Sequence, residues 1–319
     1  MSGDDDAHAQ SIRIRGVVQG VGFRPFVFRI AHAHGIRGWV LNDTDGVRIH
    51  AEGEAAALAA FGRDLANSAP PAARIDSLGI EPAVVGGHAS FLIAASENGA
   101  SPTAGISPDL SVCNECIAEL NDPADRRAGY AYINCTNCGP RYSIILALPY
   151  DRPRTTMAAW QMCSRCEAEY VDPANRRFHA QPNACPRCGP RYTLYQSATG
   201  SISDDGAAII DAAGLLRDGR IVAIKGIGGY HLACSADRAD AVAALRERKF
   251  RKEQPFAVMV RNVDVARGVI ELSAGAETLL ASSARPIVVA PRRVVLNGVA
   301  PDTSELGVML PYTPLHHML

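Results

Sequence analysis

Residues 11–19 alternate apolar and polar, with Ile12, Ile14 and Val17/Val18 on one side, the period of a half-buried strand. Pro25 then opens a helical stretch, where its missing N–H costs nothing, and Gly35 closes it. Residues 39–41 and 47–51 predict two strands around the turn Asn42-Asp-Thr-Asp-Gly46. A second helix follows over 54–67, Pro70-Pro71 interrupts, and two further strands end at 90–94. This order, β-α-β-β-α-β, is the split βαβ, ferredoxin-like pattern. Residues 96–108, rich in Ser, Gly and Pro, predict a linker, and residues 197–205 a second one. Beyond it the pattern predicts a helix over 207–218 and an apolar strand over 220–225. A glycine turn over 226–229 leads to a helix over 239–248. Buried-looking strands follow over 256–260 and 287–291, the alternation of an α/β domain.

Between the two linkers a repeat governs the chain. Eight of its nine cysteines form the Cys-x-x-Cys pairs Cys113/Cys116, Cys135/Cys138, Cys163/Cys166 and Cys185/Cys188, and the first two pairs recur 50 residues later as the last two. Asp122-Pro123-Ala recurs as Asp172-Pro173-Ala, Arg126-Arg127 as Arg176-Arg177, and Cys138-Gly-Pro-Arg-Tyr142 as Cys188-Gly-Pro-Arg-Tyr192. Three parts follow: residues 10–96, a duplicated region at 110–194, and an α/β part at 203–319.

Composition narrows the chemistry. The 319 residues carry 32 Lys+Arg against 33 Asp+Glu, a net charge of −1, so the chain lacks the accumulated positive charge of a nucleic-acid binder. Hydrophobic residues at 47% suffice for real cores, and no apolar run approaches the ~20 residues of a membrane span. The acidic start, Met1-Ser-Gly-Asp-Asp-Asp, is the opposite of a secretory leader, so the expected location is the cytoplasm, without a membrane. There cysteines stay reduced, and four Cys-x-x-Cys knuckles predict two structural Zn²⁺ sites rather than disulfides or a thioredoxin-like redox pair. The repeat permits sequential pairing (first with second, third with fourth) and nested pairing equally. Cys234 stands outside the array. His179, with only Gly129 at the corresponding earlier position, is read as a surface residue.

Two segments carry anion chemistry. Gln19-Gly20-Val21-Gly22-Phe23-Arg24 joins a strand to a helix N-terminus, so its backbone N–H groups can converge on phosphate while Arg24 clamps it. Lys225 ends a strand before the glycine turn, and Arg246-Glu-Arg-Lys-Phe-Arg-Lys252 places five basic residues in seven, including Lys249 and Arg251. His231 and Cys234 are read as core or supporting residues.

Val18-Gln-Gly-Val-Gly-Phe-Arg24 with Gly38-Trp-Val-x-Asn42 and Asp45-Gly46-Val47 resembles the acylphosphatase family. The resemblance implies that Arg24 binds an acyl phosphate and Asn42 orients the attacking water. The last part resembles the YrdC family, which makes carbamoyl-adenylates from ATP. It implies ATP bound by Lys225, Lys249 and Arg251 with Mg²⁺, though Lys252 and Gln254 depart from the Arg-Pro-x-Lys-Pro of relatives. In this order the three parts, with the closing Gly307-Val-Met-Leu-Pro-Tyr-Thr-Pro-Leu-His-His317, resemble the carbamoyltransferase family of [NiFe] hydrogenase maturation. The family takes carbamoyl phosphate and ATP and carries the carbamoyl group to the C-terminal cysteine of a HypE-like acceptor protein. On this resemblance the YrdC-like part is cut short and the downstream transfer domain is absent. The competing readings are an acylphosphatase with passenger domains and a zinc-based RNA- or protein-binding adaptor. Double-stranded RNA is not an expected partner, since aromatics are only 6%.

Overall fold

The computed structural model describes residues 8–70, 72–96, 108–173, 175–196 and 200–319. The first predicted linker falls almost wholly outside them. The chain forms two compact units, residues 1–109 with 134–189, and residues 110–133 with 190–319.

In the first unit, β1 (His8–Val17), α1 (Phe23–Ala33), β2 (Arg37–Asn42), β3 (Val47–Gly53), α2 (Ala55–Asn67) and β4 (Arg74–Ala83) follow the predicted order, and β5 (Phe91–Ile93) adds an edge. The sheet runs β4-β1-β3-β2-β5, antiparallel except that β5 pairs parallel with β2. Ile12 and Ile14 of β1 and Val47, Ile49 and Ala51 of β3 turn to one face. There they bury Phe23 and Val27 of α1 and Leu58, Phe61 and Leu65 of α2. Each such large side chain, taken fully out of water, contributes on the order of 1.5–3 kcal/mol. The loop between β1 and α1 is therefore hung from a rigid sheet and a rigid helix.

The repeat shows in the backbone. α3 (Asn114–Asn121) and α4 (Ser164–Val171) begin and end 50 residues apart. Their N-caps, Cys113 and Cys163, share an extended conformation (φ −78°, ψ 161° and φ −73°, ψ 162°).

In the second unit, β6 (Thr193–Gln196) pairs antiparallel with β7 (Gly200–Asp204), so the second predicted linker is in part a strand. Residues 197–199 lie outside the described set. Leu194 of β6 packs on the core, but β7 is mostly exposed and leaves no hydrophobic alternation to read. α5 (Asp205–Arg217) leads to β8 (Val222–Lys225), β9 (Tyr230–Ala233) and α6 (Ala239–Arg248). β10 (Val258–Met259), α7 (Val263–Val269), α8 (Ala274–Ala281), β11 (Val288–Pro291), β12 (Glu305–Met309) and α9 (Pro314–Met318) complete it. β12, which the sequence pattern missed, is the centre of the sheet β10-β12-β11. The apolar run at β11 is buried on one face only: Val288 and Ala290 face the core while Val289 is exposed. Among the described residues no helix is long and apolar enough to cross a membrane.

Candidate active site and metal centres

The glycine loop owes its shape to two residues. Gly20 (φ +72°) allows a close approach, since a Cβ there would stand 2.5 Å from Pro140 Cβ and 2.6 Å from the Tyr150 ring. Gly22 (φ +75°) is the N-cap of α1 and offers that helix no side-chain cap. The first turn of α1 also carries no acidic residue, so its N–H groups and the positive end of its dipole face an anion without competition. Val21 and Phe23 point into the core, which leaves backbone to line the loop. The Gln19 side chain does not face an anion. Its Nε2 donates to Asp43 O (2.6 Å) and Gly46 O (2.8 Å) and its Oε1 accepts from Tyr150 N (3.0 Å). Gln19 is a buried tie between the loop, the β2–β3 turn and the finger segment, and its side chain is fully committed to these bonds.

Arg24, 7% exposed, and Asn42, 1% exposed, meet beside this loop. With its oxygen toward the guanidinium, the Asn42 amide accepts from Arg24 Nε and Nη2, each at 3.2 Å. Arg24 Nη2 also donates to Asp151 Oδ1 (2.8 Å), and Nη1 to Ser96 Oγ (3.3 Å). Asp151 lies 127 residues from Arg24, too far for any local pattern to mark it as a partner. The remaining space is about 10 Å³, room for one water, walled by Gly20, Gly22, Arg24, Asn42, His179 and Gln181. An anion entering this cavity would therefore compete with the Asp151 carboxylate for Arg24. Asp151→Asn removes that competitor and leaves a buried charge without a counter-ion, so inorganic phosphate is expected to bind several-fold more tightly, read by calorimetric titration.

His179 is not the surface residue the sequence suggested. Burial first, then the nearby Arg24 charge, lowers its pKa to about 4. Only the fold brings the second finger against the glycine loop, which is why spacing could not show this.

The cysteines form two sets, Cys113/Cys116/Cys135/Cys138 and Cys163/Cys166/Cys185/Cys188, with the ligand atoms of each set within 4.8 Å of one another. Pairing is sequential, which the repeat alone left open. Sulfur–sulfur distances are 3.9 Å for Cys135–Cys138, 3.8 Å for Cys163–Cys185, and 3.7 Å for Cys185–Cys188 and Cys188–Cys166. A tetrahedral zinc with Zn–S bonds of ~2.3 Å has edges of ~3.8 Å, so the thiolates already stand at zinc-binding spacing. Burial pushes the Cys163 thiol up, but the Cys166 N–H and the thiols of Cys166, Cys185 and Cys188 outweigh this and bring it to about 6. The donor set is closed and binds zinc structurally. Cys234 lies in neither set, and burial raises its pKa.

A third set, His50, Glu52 and His88, is a brace. Glu52 is fully buried and accepts from His50 Nε2 (2.8 Å), Gly86 N (2.5 Å) and His88 N (3.0 Å). Burial raises its pKa, and these bonds more than reverse it, to about 2.

In the second unit the basic residues separate. Lys225 lines a cavity of about 300 Å³ with Tyr132, Tyr192 and Tyr230, and neither Lys249 nor Arg251 lines it. Lys225 Nζ lies 5.3 Å from the Tyr230 ring centroid. Lys249 is the exposed C-cap of α6. Arg251 donates to Gln254 O (3.1 Å) and Pro255 O (2.7 Å), which shapes its own loop. Arg246, which the motif reading passed over, gathers the carbonyls of Arg251 (2.9 Å), Lys252 (3.2 Å), Gln254 (3.3 Å) and Val299 (3.0 Å). His231 is exposed rather than core, with Nε2 2.8 Å from Tyr312 Oη.

The acylphosphatase family model matches residues 10–93, the HypF finger model residues 112–145 and 162–195, and the Sua5/YciO/YrdC model, described as telomere recombination, residues 214–319. Carbamoyltransferase HypF2 of Cupriavidus necator is 53% identical over 314 residues, which are 97% of this chain and 39% of that protein. The chain belongs to the HypF family. Carbamoyltransferase HypF of Rhodobacter capsulatus, another family member, is 51% identical over 98% of the chain and 41% of its own length. A crystal structure of full-length HypF in a phosphate- and nucleotide-bound form matches with TM-score 0.91 and 45% identity, over 98% of this chain and 41% of that one. The chain thus spans about two fifths of these HypF proteins. Each finger match contains one complete four-cysteine set, in agreement with sequential pairing.

Proposed function

We propose that the chain hydrolyses carbamoyl phosphate at the Arg24–Asn42 site and activates the resulting carbamate with ATP in residues 203–319. In this reading it is the acylphosphatase-like, finger and YrdC-like parts (10–96, 110–194 and 203–319) of a cytoplasmic carbamoyltransferase of [NiFe] hydrogenase maturation. The carbamoyl group is destined for the C-terminal cysteine of a HypE-like acceptor. The observation that carries the proposal is the meeting of Arg24 and Asn42 beside a glycine loop and an uncapped helix N-terminus, in a chain of the HypF family. The solved full-length HypF binds phosphate and nucleotide, which agrees with both half-reactions.

Arg24 and the loop N–H groups of residues 20–24 hold the phosphoryl oxygens in place of Asp151. The Asn42 amide nitrogen, left free when its oxygen faces Arg24, positions a water in line with the phosphorus. The water oxygen forms a bond to phosphorus, and the bond from phosphorus to the bridging oxygen breaks. Carbamate leaves with the electron pair, and the proton of the water passes to phosphate. At the second site a carbamate oxygen attacks the α-phosphorus of ATP and pyrophosphate leaves, with Lys225, the one of the three predicted basic residues that lines the cavity, meeting phosphate charge. Mg²⁺ arriving with ATP would neutralise the remainder.

Incubating the chain with carbamoyl phosphate and ATP tests the reading. Phosphate, AMP and pyrophosphate are the expected products. Phosphate without AMP restricts the chain to acylphosphatase chemistry, and no phosphate rejects the assignment of the first site.

A further inference from the structure

The two fingers are copies of one sequence, so the second has an internal control 50 residues upstream. In the first copy the turn after the arginine pair carries Gly129 at φ +64°, and its N–H donates to Leu120 O (2.9 Å). In the second copy the same turn carries His179 at φ +55°, and its N–H donates to Tyr170 O (3.0 Å). The backbone is retained while the glycine is not. An L side chain in left-handed conformation is strained, and such strain persists at sites where the side chain is needed. The surroundings hold it there. Gln181, where the first copy has Ala131, is 1% exposed and donates to His179 O (3.0 Å). Its Oε1 is occupied by Arg152 N (2.7 Å) and Tyr170 Oη (2.9 Å).

The His179 ring lies against those of Phe178 (4.6 Å between centroids) and Tyr170 (5.1 Å), and lines the Arg24–Asn42 cavity. With a pKa of about 4 it is neutral at pH 7, so one ring nitrogen keeps a lone pair. Neither ring nitrogen has a hydrogen-bond partner among the described residues. The other polar groups of the wall are committed or are donors: Arg24 and the loop N–H groups donate, the Asn42 oxygen is used by Arg24, and the Gln181 oxygen is used twice. Among the side chains of this wall, His179 is the one left with an open acceptor. An acyl phosphate that carries N–H groups on its acyl carbon complements that wall, whereas one that carries a methyl group leaves the acceptor unpaired.

We propose that His179 is a specificity-determining residue: its unprotonated ring nitrogen accepts a hydrogen bond from the carbamoyl N–H and selects carbamoyl phosphate over alkyl acyl phosphates. The inference rests on the reading of the Arg24–Asn42 site as a carbamoyl phosphate hydrolase.

His179→Gly copies the first finger's own residue at that turn, so it removes the imidazole and relieves the strain together. Zinc content at two per chain serves as the folding control. Phosphate release is measured with carbamoyl phosphate and with acetyl phosphate for the wild type, His179→Gly and His179→Asn. His179→Gly is expected to lose about 10- to 100-fold in kcat/KM on carbamoyl phosphate and less than about threefold on acetyl phosphate. Asn tolerates the left-handed conformation and keeps an acceptor, so it should retain part of the preference. A wild type without preference, an unchanged preference in His179→Gly, or an equal loss on both substrates overturns the proposal. Failure of the underlying reading is separately visible, because Arg24→Ala would then leave hydrolysis of both substrates intact.

Discussion

Arg24→Ala is expected to lower carbamoyl phosphate hydrolysis by a factor on the order of 10²–10³, about 3–4 kcal/mol of transition-state stabilisation. The guanidinium is buried, held by Asn42 at 3.2 Å, and lines one cavity with Gly22, the N-cap of a helix that no side chain caps. No other cationic side chain lines the small cavity, so nothing nearby replaces the lost charge among the described residues. Asn42→Ala is expected to reduce kcat and also to raise KM a few-fold, because the amide props Arg24 as well as holding water. The measurement is steady-state phosphate release over a range of carbamoyl phosphate. Wild-type parameters in both variants would leave the loop a structural turn and remove the basis for hydrolysis at this site.

Loss of zinc is expected to be the larger structural event. The finger helices have only eight residues each, too short to stand alone in water, and each starts at a cysteine of a metal set. Closed zinc sites of this type supply folding free energy directly, on the order of 10 kcal/mol or more per ion in finger peptides. Two zinc ions per chain are expected by metal analysis. Cys166→Ser or Cys185→Ser should reduce this to about one, while Cys234→Ser leaves two. His179 and Gln181, which wall the Arg24 cavity, lie on the segment between Cys166 and Cys185. Either cysteine variant should therefore lose hydrolysis together with its metal, although neither touches the glycine loop in sequence. Full hydrolysis in a chain holding one zinc would show that the second finger does not shape the site.

What was legible in the sequence was what is local. The ferredoxin-like part shows because each strand buries alternate residues and each helix buries every third or fourth, and those periods belong to the element itself. Zinc chemistry shows because Cys-x-x-Cys places two thiolates on one turn, and the glycine loop because positive φ at Gly20 and Gly22 demands the residue that permits it. Where nothing is buried on one face the pattern vanishes. β7 is the mostly exposed strand of its hairpin, and Ile202 is its one large apolar residue. Short β12 became a strand because the sheet closed around it. Everything that requires two distant segments to meet was decided by tertiary structure. Sequential zinc pairing is one case, since loop entropy separates the alternatives by only ~0.6 kcal/mol per doubling of length. Gln19, legible only as part of an anion loop, is recruited by Tyr150 as a tie. Asp151 reaches Arg24 across 127 residues, and His179, an unremarkable polar residue in its own finger, becomes a wall of the site. A chain shows which groups it carries, but the counter-charge and the missing acceptor are properties of the cavity, which exists only once the fold has closed it.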